Sequence, residues 1–428
     1  MSESFISSNN IFQVAPSTNW VHYKLEQLCR KNDKSIKIGP FGSQLKKEYL
    51  VPNGYKVYGQ ENIYNQNMEI GDRFITHNHF KILESCRLIP GDFIISMMGT
   101  IGQSMVVPDD IAPGIMDSHL IRLRFNKTFV NLSFIKQYFS SSIIQKQLAA
   151  LTVGGIMDGL SSKIIKQLVF IIPPLPEQQA VAEVLSDMDA LIQAQEALIA
   201  KKKLIKQGVM QELLTGKRRL PGFVDNWKQY KISDFASVVK GRGLSKSKLN
   251  SNGINKCVLY GELFTTYDRV INHVISSTDI DDGVPSISGD VLIPGSTTTV
   301  GVDLAIASCL LINNVRIGGD VNIIRSNSSL NYSPRFLAHY ITDVMKEDIS
   351  RAAQGITIIH LYGKDIADLC VRIPSYVEQE KISDVVDDLN NEILLLQNTC
   401  DKYKLIKQCM MQELLTGKTR LVYGGHNE

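Results

Sequence analysis

The chain has 428 residues, 44% of them hydrophobic and 21% charged, with a formal net charge of +3, enough for two or three domains with their own cores. Apolar runs such as LVFII are far too short to span a bilayer, and the start MSESFISSNN lacks a basic region followed by an apolar core, so a non-membrane, cytoplasmic protein is expected. The seven cysteines are odd in number and form no C-x-x-C pair, which leaves a zinc or disulfide framework without support; the weak net charge implies that any grip on nucleic acid is local or shared with other chains.

In chain order, a polar arm (1–16) precedes a first large segment, 17–172, that opens on Asn19-Trp20 and Tyr23-Lys24-Leu25. A Gly/Lys-rich loop, IGPFGSQLKKEY, follows. A strand is predicted after the Gly91-Asp92 turn, then a polar loop, MGTIGQ, a helix over 131–139, and the loop TVGGIMDGLSS. Residues 173–220 form a different kind of element. From Pro176 onward forty residues hold no further proline and one glycine, Gly208, and are rich in Ala, Leu, Gln, Glu, Lys and Met, the composition of a long helix. Pro176 and Glu177 suit its first turn, and Gly216 reads as its stop.

The same order then recurs. Segment 221–373 opens on Asn226-Trp227 and Tyr230-Lys231-Ile232, carries the loop KGRGLSKSKLN, a strand after Gly289-Asp290, the loop STTTVG, a helix over 333–344 and the loop AAQGITIIHLYGK. Segment 374–421 repeats the helix, and 422–428 is a tail. KLIKQGVMQELLTGKRRL at 203–220 and KLIKQCMMQELLTGKTRL at 404–421 agree at fifteen of eighteen positions, at a constant offset of 201 residues, so the chain is an internal duplication.

In the second helix Val386, Ile393 and Cys400 fall on one heptad line and Leu389, Leu396, Tyr403 and Met410 on the other. The first copy is less regular, with Leu185, Ile192 and Ile199 opposite Met188, Gln195 and Lys202. A forty-residue helix is about 60 Å long, too long to bury its stripe in a compact core, and the simplest partner is the other copy, as an antiparallel coiled coil. If each helix merely capped its own domain, the near-identity of the Q-E-L-L-T-G-K ends would be unexplained; two equivalent surfaces for two equivalent partners would explain it. The fold class expected is α+β: two strand-rich domains of one fold joined by two long helices, with an internal pseudo-two-fold repeat. Their changed loops are where different binding specificities would sit.

Motifs for covalent chemistry are missing. Ile38-Gly39-Pro40-Phe41-Gly42-Ser43 reads as a turn rather than a cofactor loop, because Pro40 and the absence of a βαβ context speak against one. No phosphate-binding G-x-x-x-x-G-K-[ST] and no Asn- or Asp-Pro-Pro-aromatic methylation motif occur. His77 and His79 are the closest of eight histidines, read as a hairpin edge rather than a metal site. No catalytic residue and no metal ligand is assigned.

The arrangement of variable domain, long helix entered through Pro173-Pro174-Leu175-Pro176-Glu177-Gln178-Gln179, second variable domain and second long helix, each helix closing on L-L-T-G-K, resembles the DNA-specificity subunits of type I restriction–modification systems. The second helix start, Pro374-Ser375-Tyr376-Val377-Glu378-Gln379-Glu380, departs by lacking the final proline. The resemblance covers essentially the whole chain beyond its first fifteen or so residues. It implies a non-catalytic subunit with two target-recognition domains, each reading half of a bipartite site in double-stranded DNA, roughly one duplex turn apart if they share a face, and with helices that set the spacing. It also implies two methyltransferase subunits docked on the helices and separate restriction and translocation subunits. S-adenosylmethionine, ATP and magnesium would belong to those partners and no cofactor to this chain.

On that reading the loops named above carry the DNA contacts. Lys46, Lys47, Lys246 and Lys248 suit phosphate. Gln44, Gln60, Asn62 and Gln103 suit adenine, Arg242 guanine and Glu262 cytosine. Ser43, Thr100, His119, Ser245, Thr297, Thr298, Thr299 and Thr357 complete the set. Each is also what a solvated loop carries. Partner contacts are expected at Glu177, Gln178, Gln211, Glu212, Leu213 and Leu214, and at Glu378, Gln379, Gln412, Glu413, Leu414 and Leu415. The competing reading is a two-headed coiled-coil scaffold that binds proteins only.

Overall fold

A computed structural model describes residues 19–31, 34–99, 102–152 and 160–421. The chain divides into two compact units, one drawn from 1–195 with 399–428 and the other from 196–398. Each holds one strand-rich head with half of each long helix.

In the first unit an antiparallel pair, Val21–Lys24 with Val169–Ile172, ties the two ends of the head together. Its main sheet is antiparallel, in the order Ile36–Ile38, Leu120–Leu123, Phe93–Ser96, Ser104–Val106. The two central strands are buried along their whole length, as expected of strands covered on both faces. Phe93, Ile95, Ile121 and Leu123 pack with Phe134, Tyr138 and Phe170 on one side; Ile94 and Leu120 pack with Tyr58, Ile63 and Ile115 on the other. That second layer belongs to a smaller sheet, Leu50–Val51, Phe74–Ile75, Tyr55–Tyr58, Gly114–Met116, whose last pair is parallel.

The second unit repeats the plan with changes. Lys228–Lys231 pairs with Cys370–Ile373. The main sheet gains a fifth strand, in the order Ala236–Lys240, Val321–Ser326, Asp290–Pro294, Ser308–Leu310, Val270–Ile271, and a four-stranded sheet lies beside it. The predicted Gly-Asp turns precede the same strand in both heads. Asp92 accepts the Ile89 N–H at 3.0 Å and holds Arg124 at 2.8 Å. Asp290 accepts the Ile287 N–H at 2.8 Å and holds Arg325 at 2.8 Å. The aspartate is therefore a turn cap neutralised by a neighbouring strand, which explains its place in both copies.

The long helices run Leu175–Leu213 and Tyr376–Leu414. In the first unit Val181, Ala182 and Leu185, near the start of one, share a cluster with Leu414 and Leu415, at the end of the other. In the second unit Ile382 and Val386 share a cluster with Met210, Leu213 and Leu214. The helices thus pair antiparallel in each unit, as expected. Val386, Ile393 and Cys400 are buried, as are Leu185 and Ile199. Lys407 bridges to Asp189 in the first unit and Lys202 to Glu392 in the second, both at 2.6 Å. No helix among the described residues is long and apolar enough to cross a membrane.

Within each unit the repeated helix face lines a cavity beside the junction of two head helices. In the second unit the cavity is about 610 Å³, with Lys203, Lys206, Gln207, Met210 and Gln211 along one wall. In the first it is about 710 Å³, with Lys404, Lys407, Gln408, Met411 and Gln412. Asp343 lines the former, and its Oδ2 is buried with no hydrogen-bond partner. Burial raises its pKa against the pull of Arg269 and nearby lysines. A carboxyl with a raised folded-state pKa adds stability below its ordinary range and loses it as pH rises. Asp343→Asn is therefore expected to raise the thermal midpoint at pH 7, with the gain vanishing in acid, where the native side chain is neutral in both states; thermal scans at the two pH values measure it.

Candidate nucleic-acid interface

One end of the main sheet gathers the predicted loops in each head. In the first, Gly39 N–H bonds to Leu120 O at 3.0 Å and Met97 N–H to His119 O at 2.9 Å. The loops leaving Ile36–Ile38 and Phe93–Ser96 therefore flank the turn at 117–119. Gln60 donates to the Met98 carbonyl, and Tyr64 donates to the same oxygen at 2.8 Å. Gln60, Gln103 and His119 thus share one sheet end, with Gln103 and His119 exposed. Ser43, Gln44, Lys46 and Lys47 are exposed on the loop that leaves that end. Thr100 lies outside the described residues.

Two placements differ from expectation. Asn62 is fully buried. Its oxygen accepts the Gly59 N–H at 2.9 Å and its amide donates to Asn67 O and Ile70 O, both at 3.0 Å. It caps the helix Gln60–Tyr64 and has nothing left for a base. His77 and His79 lie on a short helix, His77–Ile82, not a hairpin edge. His79 Nε2 contacts the Gln44 carbonyl at 2.8 Å and its ring packs on Tyr49, so His79 braces the DNA-loop candidate, while His77 Nδ1 lies 2.9 Å from the Tyr55 hydroxyl.

The second head converges in the same way. Gly241 N–H bonds to Val321 O at 2.8 Å, and Gly319 N–H to Gly243 O at 3.0 Å. Gly295 N–H and the Ser296 hydroxyl both bond to Asp320. Ser296–Thr297 pairs with Ile359–His360, which brings the loop of Thr357 beside that of Thr298 and Thr299. Arg242 is 73% exposed, 3.7 Å from Asp282. Ser245, Lys246, Lys248, Thr298, Thr299 and Thr357 are exposed. Thr297 is buried, with its hydroxyl 2.8 Å from that of Thr299. Glu262 is a cap like Asn62: one oxygen accepts the Leu259 N–H at 2.7 Å and the other the Ser276 hydroxyl. In both, the side chain reaches back three residues to a backbone N–H at the start of a helix, the commoner use of a polar residue there.

The expected partner contacts need a larger correction. Glu177, Gln178, Leu213, Leu214, Glu378, Gln379, Leu414 and Leu415 are all buried within the chain. Arg420 grips Glu177 through Nε and Nη2 at 2.6 and 2.7 Å, and Trp20 Nε1 donates to Glu177 at 3.3 Å. Arg219 grips Glu378 through the same two nitrogens, both at 2.6 Å. Each arginine also lies 5.9 Å from a tryptophan ring, Trp20 or Trp227. Gly216 and Gly417 turn the chain with φ of 72° and 73°, and a Cβ on either would meet the tryptophan ring at 3.2–3.5 Å. Gln178 and Gln379 accept the N–H of Asn131 and Ser333, the caps of the two head helices, at 2.8 and 2.9 Å. The L-L-T-G-K ends and the E-Q starts are therefore two halves of an internal clasp, made twice. Gln211, Glu212 and Gln412 remain exposed and Glu413 half-exposed. The offset of 201 residues shared by Glu177/Glu378 and Arg219/Arg420 was readable in sequence; their pairing across copies was not.

Sequence reasoning passed over the exposed apolar side chains at these loops: Phe41 (72%), Met98, Val300 and Ile356 (97%). Among the described residues no cluster of His, Cys, Asp or Glu could hold a metal ion.

The sequence profile described as the type I restriction modification DNA specificity domain matches residues 17–202 and 224–402. The chain is 20% identical over 328 residues to the type I restriction enzyme MjaVIII specificity subunit of Methanocaldococcus jannaschii, covering 72% of this chain and 75% of the relative. It is 23% identical over 363 residues to the putative MjaX specificity subunit of the same organism, covering 78% and 80%. In fold it is similar to the crystal structure of a type I restriction–modification S subunit from M. genitalium, with a TM-score of 0.56, 14% identity, and 96% and 98% of the two chains covered. With the profile matched once in each half of a duplicated chain, this protein belongs to the family of type I restriction–modification DNA-specificity subunits.

Proposed function

We propose that each head reads one half of a bipartite DNA site, and that two methyltransferase subunits, joined by restriction subunits for cleavage, assemble on the paired helices. The observation that carries the reading is one loop cluster built twice with different side chains: Gln60, Gln103 and His119 on one sheet end, Arg242, Thr298, Thr299 and Thr357 on the other. The first set favours paired bonds to adenine, and Arg242 favours guanine. Lys46, Lys47, Lys246 and Lys248 position the duplex through phosphate without reading it.

With the E-Q and leucine positions spent on the clasps, the surfaces left for equivalent partners are the two lysine- and glutamine-lined cavities, each of which has one wall of five residues from the repeated helix end that correspond at the 201-residue offset. The subunit itself performs no covalent step; S-adenosylmethionine serves the methyltransferases, and ATP with magnesium serves the restriction subunits.

Mapping of adenine methylation in DNA exposed to this chain with its methyltransferase tests the reading. A split motif of two unlike halves, modified on both strands, is expected. Binding is expected to fall steeply with salt, by roughly 0.9 log units per log unit for each phosphate neutralised. An assembled complex that methylates without a motif, or binds DNA with no salt dependence, would leave the heads as protein-binding modules.

A further inference from the structure

We infer that Arg73 is a positioning residue of the first reading surface: resting on the recognition reading above, it locks the helix that carries Gln60 to the turn that carries His119, so that both side chains meet the half-site in one fixed arrangement. Arg73 Nη2 donates to Glu61 Oε1 at 2.8 Å and to Asp117 Oδ2 at 3.0 Å. Glu61 follows Gln60 in the helix Gln60–Tyr64. Asp117 is buried at the start of the turn, where its Oδ1 accepts the His119 N–H at 3.0 Å. One guanidinium nitrogen thus joins the two elements through charge-assisted bonds.

The surroundings are built for this bridge. Arg73 is fixed at its own backbone, whose carbonyl accepts the Val57 N–H at 2.9 Å. Gly59 opens the helix, and a Cβ there would stand 2.8 Å or less from Arg73 Nη2, Glu61 Oε2 and Asp117 Oδ2. Its φ of −126° suits any residue, so what the glycine supplies is the space that the bridge fills. The helix in turn holds the Met98 carbonyl through Gln60 and Tyr64, so a shift of the helix carries that loop with it. His119 Nδ1 lies 3.8 Å from Asp117 Oδ2, beyond a hydrogen bond. With Arg73 on that oxygen the carboxylate is already paired, and the imidazole is left to the duplex. The second head makes a different tie: in the corresponding turn Asp320 takes the Ser296 hydroxyl, at the foot of the Thr298–Thr299 loop. Bonds to a base edge discriminate only while their donors and acceptors stay in register, and supporting contacts of this kind keep them there.

The test measures methylation kcat/KM for the subunit assembled with its methyltransferase, on the mapped cognate duplex and on duplexes with single base changes in either half. Glu61→Ala cuts the bridge while leaving Asp117 paired, and as one partner of a half-exposed pair Glu61 adds little to stability. It should lower discrimination at one or two bases of the first half on the order of tenfold, with the second half and the thermal midpoint unchanged. Arg73→Gln should relax the same bases. Glu61→Gln can still accept from Arg73 and should keep the native discrimination. Native discrimination in Glu61→Ala or Arg73→Gln overturns the proposal. So does equal relaxation in Glu61→Gln, which would make the charge of Glu61 responsible and not the bridge. Tighter binding of Glu61→Ala to every duplex alike, with discrimination intact, also overturns it, by reducing Glu61 to a repulsion of phosphate. Failure of the recognition reading is distinguishable, because the native complex would then show no discrimination in the first half to lose.

Discussion

Arg219→Ala is expected to destabilise the second unit by about 3–5 kcal/mol, the cost of leaving a buried charge without its partner. Glu378 is 1% exposed and both of its oxygens are held by Arg219. The hydrogen bond to Glu378 raises the pKa of the guanidinium, which stays charged at any pH where the protein folds. Arg219 also donates to the Asp225 carbonyl at 2.8 Å and covers the Trp227 ring, so truncation removes the charge, a loop tie and a stacking contact together. Urea unfolding of the single variant and of Arg219→Ala/Glu378→Leu separates these contributions. The double variant should recover most of the loss, since an apolar pair does not need the missing cation. Equal damage in both would mean that the tryptophan and loop contacts, not the ion pair, close the clasp. Arg420→Ala should shift the first unit in the same direction, because Glu177 is buried and gripped in the same way.

Gly39→Ala is expected to cost about 3 kcal/mol, at the upper end of ordinary overpacking, and to silence one half of recognition. A Cβ at this position would stand 1.7 Å from the Asp117 carbonyl oxygen. That contact is between backbones, so no rotamer change relieves it. Either the Gly39–Leu120 hydrogen bond or the turn at 117–119 must give, and both hold the loops of Gln60, Phe41 and His119 at the sheet end. The second head shares none of these contacts. In methylation mapping the variant should lose modification at the native split motif, because both halves must be read at once, while thermal scans show one weakened transition. Unchanged methylation with an unchanged thermal midpoint would remove the first head's loops from the interface.

Much of the fold was legible along the chain because it rests on local chemistry. Forty residues without an interior proline, closed by Gly216 or Gly417, can only be a long helix with a left-handed stop. Heptad spacing placed Val386, Ile393 and Cys400 on the buried line, and Gly-Asp before an apolar run marked the same capped strand in both heads. The duplication needed only the constant offset. The tertiary structure alone decided which polar side chains are free. Asn62 and Glu262 look like base readers and are helix caps. Glu177 and Arg420 lie 243 residues apart in sequence and meet at 2.6 Å. The near-identity of the two helix ends pointed outward to a pair of partners, and it is first a closure of the chain on itself. The physical reason is range: propensity and period act over a few residues, whereas burial and ion pairing depend on what a distant segment brings, and a single sequence carries no mark of that pairing.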